Sequence, residues 1–233
     1  MKKLRPSGGY RKAASFQTAT LIYDATYRFC EKFIDSRSRT LDQMIQAARS
    51  GRQNIAEGSR AAATSSQTEL RLVNVARSSL EELLLDYEDY LRHRHLRQWA
   101  SSSAESSAVR EVPQRLKRDR SAQSDLTELT DQERWVLYAF WLEHESAEVR
   151  ANAIICLIHQ ANYLLDRQIA VLKAAFVEDG GYSEQLAAAR LAERERMRRE
   201  ISRQPEPGTV IPSCPQCGGP MVLRTARAGK NEG

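Results

Sequence analysis

Apolar residues recur at intervals of three and four along most of this chain, which is the period of an amphipathic helix. The composition agrees, because aromatic residues make up only 7% and there are 11 Gly and 7 Pro among 233 residues, which favours helices over a strand-rich sandwich. The predicted helices cover residues 16–35, 40–62, a segment that starts at 66, 131–143, 147–177 and 183–203.

Start and stop signals mark several of these helices. Thr40 is placed to cap the second helix, and Ser66 with Glu69 fits an S-x-x-E capping box at the start of the third. The apolar seam of the third helix follows a heptad rhythm that only Arg77 breaks, which suits left-handed bundle packing. The sequence D-G-G-Y at 179–182 is expected to end the long fourth helix, as a C-terminal Gly does.

The four long helices with apolar seams predict an all-α fold, an antiparallel up-down four-helix bundle with an extra C-terminal helix and a short cysteine-bearing tail. A low-complexity basic insertion interrupts the bundle, and we expect it to be loosely ordered with one short helix. The predicted segments are a flexible basic arm at 1–14, the bundle at 15–178 with its insertion at 99–130, a suffix helix at 179–204, and a Pro-rich linker and tail at 205–233.

Charge is spread unevenly around a formal net charge of +5. Met1–Lys12 carries five basic residues and no acid, and Arg92–Arg120 carries eight basic and three acidic residues. Ser121–Glu148 reverses this, with seven acids against Arg134 alone. The two basic blocks are interpreted as solvated arms that could contact nucleic acid, and simple solubility remains the alternative.

The stretch R-Q-N-I-A-E-G-S at 52–59 places polar residues and glycine next to an apolar stripe. Gly51 leaves no side chain on the stripe, so a neighbouring helix can approach closely. Asn54, if buried, needs hydrogen-bond partners on a facing helix and would fix the register of the two helices. Glu57 could accept a hydrogen bond from a helix N-terminus or from an Arg. Gly58 would loosen the end of the helix. A lone carboxylate without a paired acid, base or nucleophile is not a catalytic site, so we predict a register lock.

Three motifs carry a resemblance to a known family. They are A-A-x-S at Ala47, Ala48 and Ser50, then N-I-A-E-G at 54–58, then A-x-x-S-L-x-E-L at 76–83, with A-N-A-I-I-C-L-I-H-Q-A-N-Y-L-L-D-R-Q-I-A-V-L at 151–172 supplying the last helix. The chain resembles the four-helix-bundle protein family. That family includes proteins encoded in intervening sequences of bacterial large-subunit ribosomal RNA and the accessory variability protein of diversity-generating retroelements. Gly51 departs from the pattern, since relatives often have Ile or Val there.

The resemblance implies a basic, pentameric barrel that binds a reverse transcriptase and nucleic acid. The expected partners are therefore RNA or DNA, a nucleic-acid enzyme such as a reverse transcriptase, and further copies of the chain. The extended fourth helix and the cysteine tail resemble a suffix-bearing subgroup.

The cysteines divide into two kinds. Cys30 and Cys156 lie in helical patterns and are expected to be core thiols, which argues for a reducing, cytoplasmic compartment. Cys214 and Cys217 form a C-x-x-C knuckle that resembles the first half of a topoisomerase-type zinc ribbon. Its second cysteine pair is missing before Gly233, so we expect no cofactor unless zinc receives its other two ligands in trans.

The functional prediction is a non-enzymatic nucleic-acid-binding scaffold or adaptor. The chain has no Gly-rich phosphate loop, nucleophile motif or paired carboxylates in a recognisable frame. Basic side chains on the bundle face and in the basic arm at 92–120 are the candidate phosphate contacts. They are Arg49, Arg52, Arg60 and Arg71 on the bundle, and Arg92, Arg94, Arg97, Arg115, Lys117, Arg118 and Arg120 in the arm.

The alternative is a pure protein-interaction module that docks a basic partner through the acidic end of the third helix. Those acids could equally be a solvated helix face; they are Glu81, Glu82, Asp86, Glu88 and Asp89. We expect no membrane association, because no signal peptide is recognisable and no stretch reaches the ~18 apolar residues that span a bilayer.

Overall fold

The computed structural model describes residues 8–119, 128–180, 182–203 and 213–221. Within these ranges the fold is all-α, as predicted, and contains no strand. A 3-10 helix at Gly9–Lys12 precedes eight α-helices. They are α1 (Ala14–Phe33), α2 (Arg39–Ala61), α3 (Ser66–His93), α4 (Ala104–Arg110), α5 (Val112–Asp119), α6 (Asp131–Leu142), α7 (Ala147–Asp179) and α8 (Tyr182–Arg203). The chain divides into two compact units, Met1–Gln185 and Leu186–Gly233.

Four helices, α1, α2, α3 and α7, build the apolar core of the first unit, and we call them the core helices. Helix α1 contacts α2 and α7, and α3 contacts the same two neighbours. Each helix buries the apolar stripe that its sequence periodicity indicates. Burial is favourable because it removes the apolar side chains from water. Fully buried side chains include Ile22, Phe29, Met44, Ile55, Leu80, Tyr87, Ile158 and Leu165.

The N-cap residues of α2 and α3 precede the predicted ones by two positions and by one position, respectively. Ser38, rather than Thr40, caps α2, and its hydroxyl accepts the Thr40 N–H at 3.2 Å. Ser65, rather than Ser66, caps α3, and its hydroxyl accepts the Thr68 N–H at 3.1 Å. In both cases the preceding serine has the extended backbone that an N-cap requires, so the predicted caps were wrong.

The buried side of α3 is wider than the predicted heptad seam. Ala76 and Leu83 are fully buried beside Leu80, because α3 packs against both α2 and α7. Arg77 stays outside the core, where its guanidinium pairs with Asp166 at 2.5 Å. The apparent break in the heptad is therefore an ion pair across α3 and α7.

The insertion is more ordered than expected over its first part. It forms two short helices, α4 and α5, rather than one, and α4 packs on α7. Ser103 caps α4 by accepting the Ser106 N–H at 3.2 Å, and Val109 is completely buried. A few apolar residues among the serines therefore suffice to anchor this segment, and the rest of the predicted insertion, 120–127, lies outside the described residues.

Other boundaries follow the sequence signals. Thr130 and Glu133 form a reciprocal capping box at the start of α6. Gly180 ends α7 with a φ of 74°, in the left-handed region that glycine adopts without steric cost, which confirms the predicted stop. No helix in the described part of the chain is both long enough and apolar enough to cross a bilayer.

Helices α2 and α3 approach each other through two glycines of α2. A Cβ atom on Gly51 would lie 2.8 Å from both Cγ and Cδ2 of Leu80. A Cβ on Gly58 would meet Val73 Cγ2 and the Glu69 carbonyl oxygen at 3.4 Å, an ordinary contact distance. Gly51 is therefore the position at which the two helices leave no room for a side chain.

We predict that Gly51→Ala is less stable than Gly58→Ala by about 1–3 kcal/mol, because only the first overpacks a buried leucine. Both substitutions gain the same helix propensity, so Gly58→Ala is a matched control. Urea unfolding followed by circular dichroism measures the difference. Equal midpoints for the two variants would show that α3 moves away at no cost.

Candidate nucleic-acid interface

The N-I-A-E-G stretch does not place Asn54 against a facing helix. Asn54 is half-buried, and its amide donates to the Ser50 carbonyl at 2.9 Å and to the Ser50 hydroxyl at 3.1 Å, both within α2. The hydroxyl of Ser50 in turn lies 2.9 Å from that of Ser79 on α3. The polar link between the helices is thus the serine pair, which Asn54 supports from one side.

The neighbouring residues of this stretch also differ from their predicted roles. Glu57 is exposed, and Gly58 is buried against α3 rather than loosening a helix end, since α2 continues to Ala61. Sequence reasoning named Ser50 and Ser79 only as parts of motifs. The signal that could have identified the pair is their occurrence on the apolar stripes of two consecutive helices.

The fold gathers several cations at the end of the core helices where α2 passes to α3. Tyr10 is buried there against Phe16, with ring centroids 4.7 Å apart. The guanidinium carbons of Arg11 and Arg60 lie 5.5 and 5.7 Å from the centre of the Tyr10 ring, within the range of cation–π attraction. We call Arg11, Lys12, Arg60 and Arg71, all exposed near this connection, the basic end.

Arg11 and Lys12 were not among the predicted contacts, although the charge of the N-terminal block pointed to them. Their position follows from Tyr10, whose burial ties residues 8–12 to α2, with the Gly8 N–H 3.4 Å from the Ser59 carbonyl oxygen. This part of the predicted flexible arm is therefore structured, and residues 1–7 lie outside the described ranges.

Two other arginines of α2 lie in different surroundings. The Arg52 guanidinium stacks 4.3 Å from the centre of the Tyr23 ring and is half-buried. Burial raises the pKa of the nearby Asp24 carboxyl, an effect that the positive charge of Arg52 opposes. Arg49 is exposed, and the described residues offer it no ion pair. Arg49 therefore remains a candidate phosphate contact, whereas Arg52 is already engaged.

The arginines predicted for the mobile arm are mostly occupied within the chain. Exposed ion pairs join Arg92 to Asp89 at 2.6 Å, Arg97 to Glu105 at 3.3 Å and Arg115 to Glu111 at 3.3 Å. Each such pair contributes only about 0–1 kcal/mol to folding, but it competes with a phosphate for the same guanidinium.

The other basic residues predicted as phosphate contacts in the arm at 92–120 have different surroundings. Arg94 stacks on Tyr90, with the guanidinium carbon 3.9 Å from the ring centre. Arg118 is exposed and has no ion pair within the described ranges. The Lys117 side chain and Arg120 lie outside the described residues.

Acidic residues line a groove between α2 and α3. The groove has a volume of about 580 Å³, and its lining includes Asp42, Glu82 and Asp86 beside the hydroxyls of Ser50 and Ser79. Burial, reinforced by the charges of Asp89 and Glu82, raises the pKa of Asp86.

Other members of the acidic end of α3 are engaged elsewhere. Glu81 accepts from the Asn162 amide at 3.0 Å, and Glu88 accepts from Gln98 at 3.0 Å. With Asp89 paired to Arg92, the acidic run is divided between internal contacts and the groove.

The four cysteines fall into the two predicted kinds. Cys30 and Cys156 are buried, and burial raises the pKa of Cys30 to about 12 and that of Cys156 above its ordinary value. Cys214 and Cys217 lie on one turn in the second unit. The described residues contain no group of three or more His, Cys, Asp or Glu side chains that could hold a metal ion.

Comparisons with protein-family models, with curated proteins and with solved structures find no match to this chain.

We predict that the Ser50 and Ser79 hydroxyls are coupled by about 0.5–1.5 kcal/mol, the usual worth of a partly buried hydrogen bond. A double-mutant cycle with Ser50→Ala and Ser79→Ala, measured by urea unfolding, gives this value. Ser78→Ala is the matched control, because Ser78 is exposed on the next position and should add independently to Ser50→Ala. If the changes in the free energy of unfolding are additive in both cycles, the two serine hydroxyls do not link α2 to α3.

Proposed function

We infer that the core helices form an antiparallel four-helix bundle. Contacting residues support this arrangement for three of the four adjacent helix pairs, because along each of these three one residue number rises as the other falls. The supporting pairs are Ser50–Ser79 and Gly58–Val73 for α2 and α3, Arg77–Asp166 and Glu81–Asn162 for α3 and α7, and Ser15–Gln168 and Phe33–Arg150 for α1 and α7.

We propose that the protein is a non-enzymatic scaffold or adaptor that binds the phosphate backbone of RNA or DNA. The observation that carries this proposal is the basic end, where Arg11, Lys12, Arg60 and Arg71 stand close to the same connection. Within the described residues Arg11, Lys12 and Arg71 form no ion pair, so their charge is available to phosphates.

The proposal extends to the assembly that the family resemblance implies. In it, copies of the bundle associate, as a pentamer by resemblance, and the assembly holds nucleic acid beside an enzyme such as a reverse transcriptase in the cytoplasm. Fold alone does not determine such a role, so the support comes from the charge distribution and the motifs at 47–58 and 76–83.

A salt titration of binding to a mixed-sequence RNA and to duplex DNA tests the proposal. We predict that log affinity falls linearly with log salt, by about 0.7 per phosphate contact for a single strand and about 0.9 for duplex DNA. Changing Arg11, Lys12, Arg60 and Arg71 together to Gln should flatten the slope by up to about four contacts, while helicity is retained. Base changes in the ligand should have little effect, because phosphate contacts carry no sequence information.

The matched control changes four arginines of the basic block at 92–120, Arg92, Arg97, Arg115 and Arg118, to Gln. It removes the same charge, but three of these side chains have acidic partners, so the slope should change less. An equal change in both variants would assign binding to net charge rather than to the basic end. Absence of binding at low salt would remove the nucleic-acid half of the proposal.

A second candidate function is the docking of a basic protein segment in the groove between α2 and α3. The observation that favours it is the convergence of Asp42, Glu82 and Asp86 on one groove of peptide-binding size. Binding of a labelled poly-lysine peptide that Glu82→Gln with Asp86→Asn abolishes would support this function. Retention of binding in that variant would argue against it.

A further inference from the structure

Helix α8 carries a row of arginines on one face. Arg190, Arg194 and Arg198 follow one another at intervals of four residues, and all are exposed. Because four residues advance an α-helix by one turn and about 40°, the three side chains lie within an arc of about 80°. The same spacing extends them over about 12 Å of the helix axis. We call these three residues, which belong to the second unit, the arginine stripe.

The other side of α8 has a different arrangement of charges, because cations and acids alternate there. The Arg196 guanidinium pairs with Glu200 at 3.2 Å and lies 3.8 Å from Glu193. Arg199 also interacts with another group of the chain. Within the described residues, the arginine stripe forms no ion pair. The helix therefore neutralises cations on one side and concentrates unpaired positive charge on the other.

The spacing of the stripe makes it unfavourable in the free chain. The residues three and four positions from Arg194, which are its neighbours on the helix surface, are Arg190, Leu191, Met197 and Arg198. None of them is an acid, and the two at four positions carry the same charge as Arg194, an arrangement that destabilises a helix. A bound anion would relieve this repulsion along the whole stripe.

The apolar residues of α8 argue against a membrane surface as the source of that anion. A helix that lies in a membrane interface needs a continuous apolar face. In α8 the exposed Leu191 and Met197 flank the stripe on opposite sides, and the far side of the helix carries Arg196 and Arg199. The described side chains of α8 therefore form no continuous apolar face that could insert among lipids.

A nucleic-acid strand matches the stripe in charge and in shape. Its phosphates form a continuous line of negative charge, with one charge per about 1.7 Å of duplex axis when both strands are counted. Arginine binds phosphate through two parallel N–H groups, and the basic residues of α8 are all arginines rather than lysines. A line of arginines spaced by about one helical turn can therefore contact several phosphates at once, without any contact to the bases.

We propose that the arginine stripe of α8 is a second binding site for the phosphate backbone of RNA or DNA. The inference takes its ligand class from the proposed function and rests on it in that respect. It uses none of the residues of the basic end, however, and it lies in the other compact unit. The two sites therefore make separate contributions to the salt dependence of binding.

Salt titrations of the 233-residue chain with a mixed-sequence RNA and with duplex DNA test this site. Arg194→Gln with Arg198→Gln should flatten the log–log slope by up to about two contacts, because two phosphate-binding charges are lost. The matched control is Arg196→Gln with Arg199→Gln, which removes the same charge from the same helix. It should change the slope less, because both of its arginines already interact within the chain. Arg194→Lys with Arg198→Lys keeps both charges and should keep the slope.

The variant of the basic end separates failure of this inference from failure of the proposed function. A slope that flattens only in the basic-end variant would overturn the arginine stripe and leave the proposed function standing. A slope that flattens only in the stripe variant would support the stripe and remove the basic end. Equal slopes in the two Gln variants of α8 would overturn the stripe, because net charge would then explain the binding. Tighter binding to poly-glutamate or to anionic lipid vesicles than to RNA and DNA, if the stripe variant abolished it, would also overturn the proposal.

Discussion

Helices α2 and α3 pack most tightly at a glycine where Gly51 faces Leu80. A Cβ on Gly51 would lie only 2.8 Å from the Leu80 side chain, so no side chain fits at this position unless the leucine moves. That approach places the Ser50 and Ser79 hydroxyls within hydrogen-bonding distance and buries Ala48 and Ala76 along the same seam. The groove lined by Asp42 and Glu82 follows from this spacing, because it lies along the two helices at the same interface.

Electrostatic pairing decides which cations remain available to a partner. Away from the α2–α3 connection, Arg28 and Lys32 of α1 pair with Glu143 and Glu145, and Arg150 donates to the carbonyls at the end of α6. At the basic end, the Arg11 and Arg60 guanidiniums lie within cation–π range of the Tyr10 ring, and Lys12 and Arg71 are exposed. The formal net charge of +5 therefore does not describe the charge that a partner meets at any one part of the surface.

The helices and most of the core were predictable because the apolar period of three to four is a local property of the sequence. The caps of α2 and α3 were misplaced because Ser65 and Ser66 offer the same hydroxyl, and only the backbone conformation selects between them. Pairings across space were not predictable, as Arg77 and Asp166 show: the two residues are 89 positions apart, and no periodicity connects them.

For the candidate interface, too, the sequence indicates which cations are exposed but not which of them are paired. Arg60 and Arg71 were identified as exposed cations, but the engagement of Arg97 by Glu105 depends on how α4 packs on α7. The role of Asn54 was also misjudged, since a residue beside an apolar stripe can turn inward to its own helix instead of across to the next. The direction of a side chain at the border of the apolar stripe depends on how the helix is rotated about its axis. The apolar pattern defines that rotation only to within about one residue.

The two buried thiols, Cys30 and Cys156, allow opening of the core to be followed by chemical modification. Thiolate is the form that reacts with alkylating reagents, and both Cys30 on α1 and Cys156 on α7 are shielded from solvent with pKa values raised by burial. Their alkylation must wait for α1 or α7 to open, whereas the half-buried Cys214 thiol and the exposed Cys217 thiol are within reach of the reagent from the start. The order in which the four cysteines are modified therefore reads out the opening of the first unit separately from events in the second, without any added label.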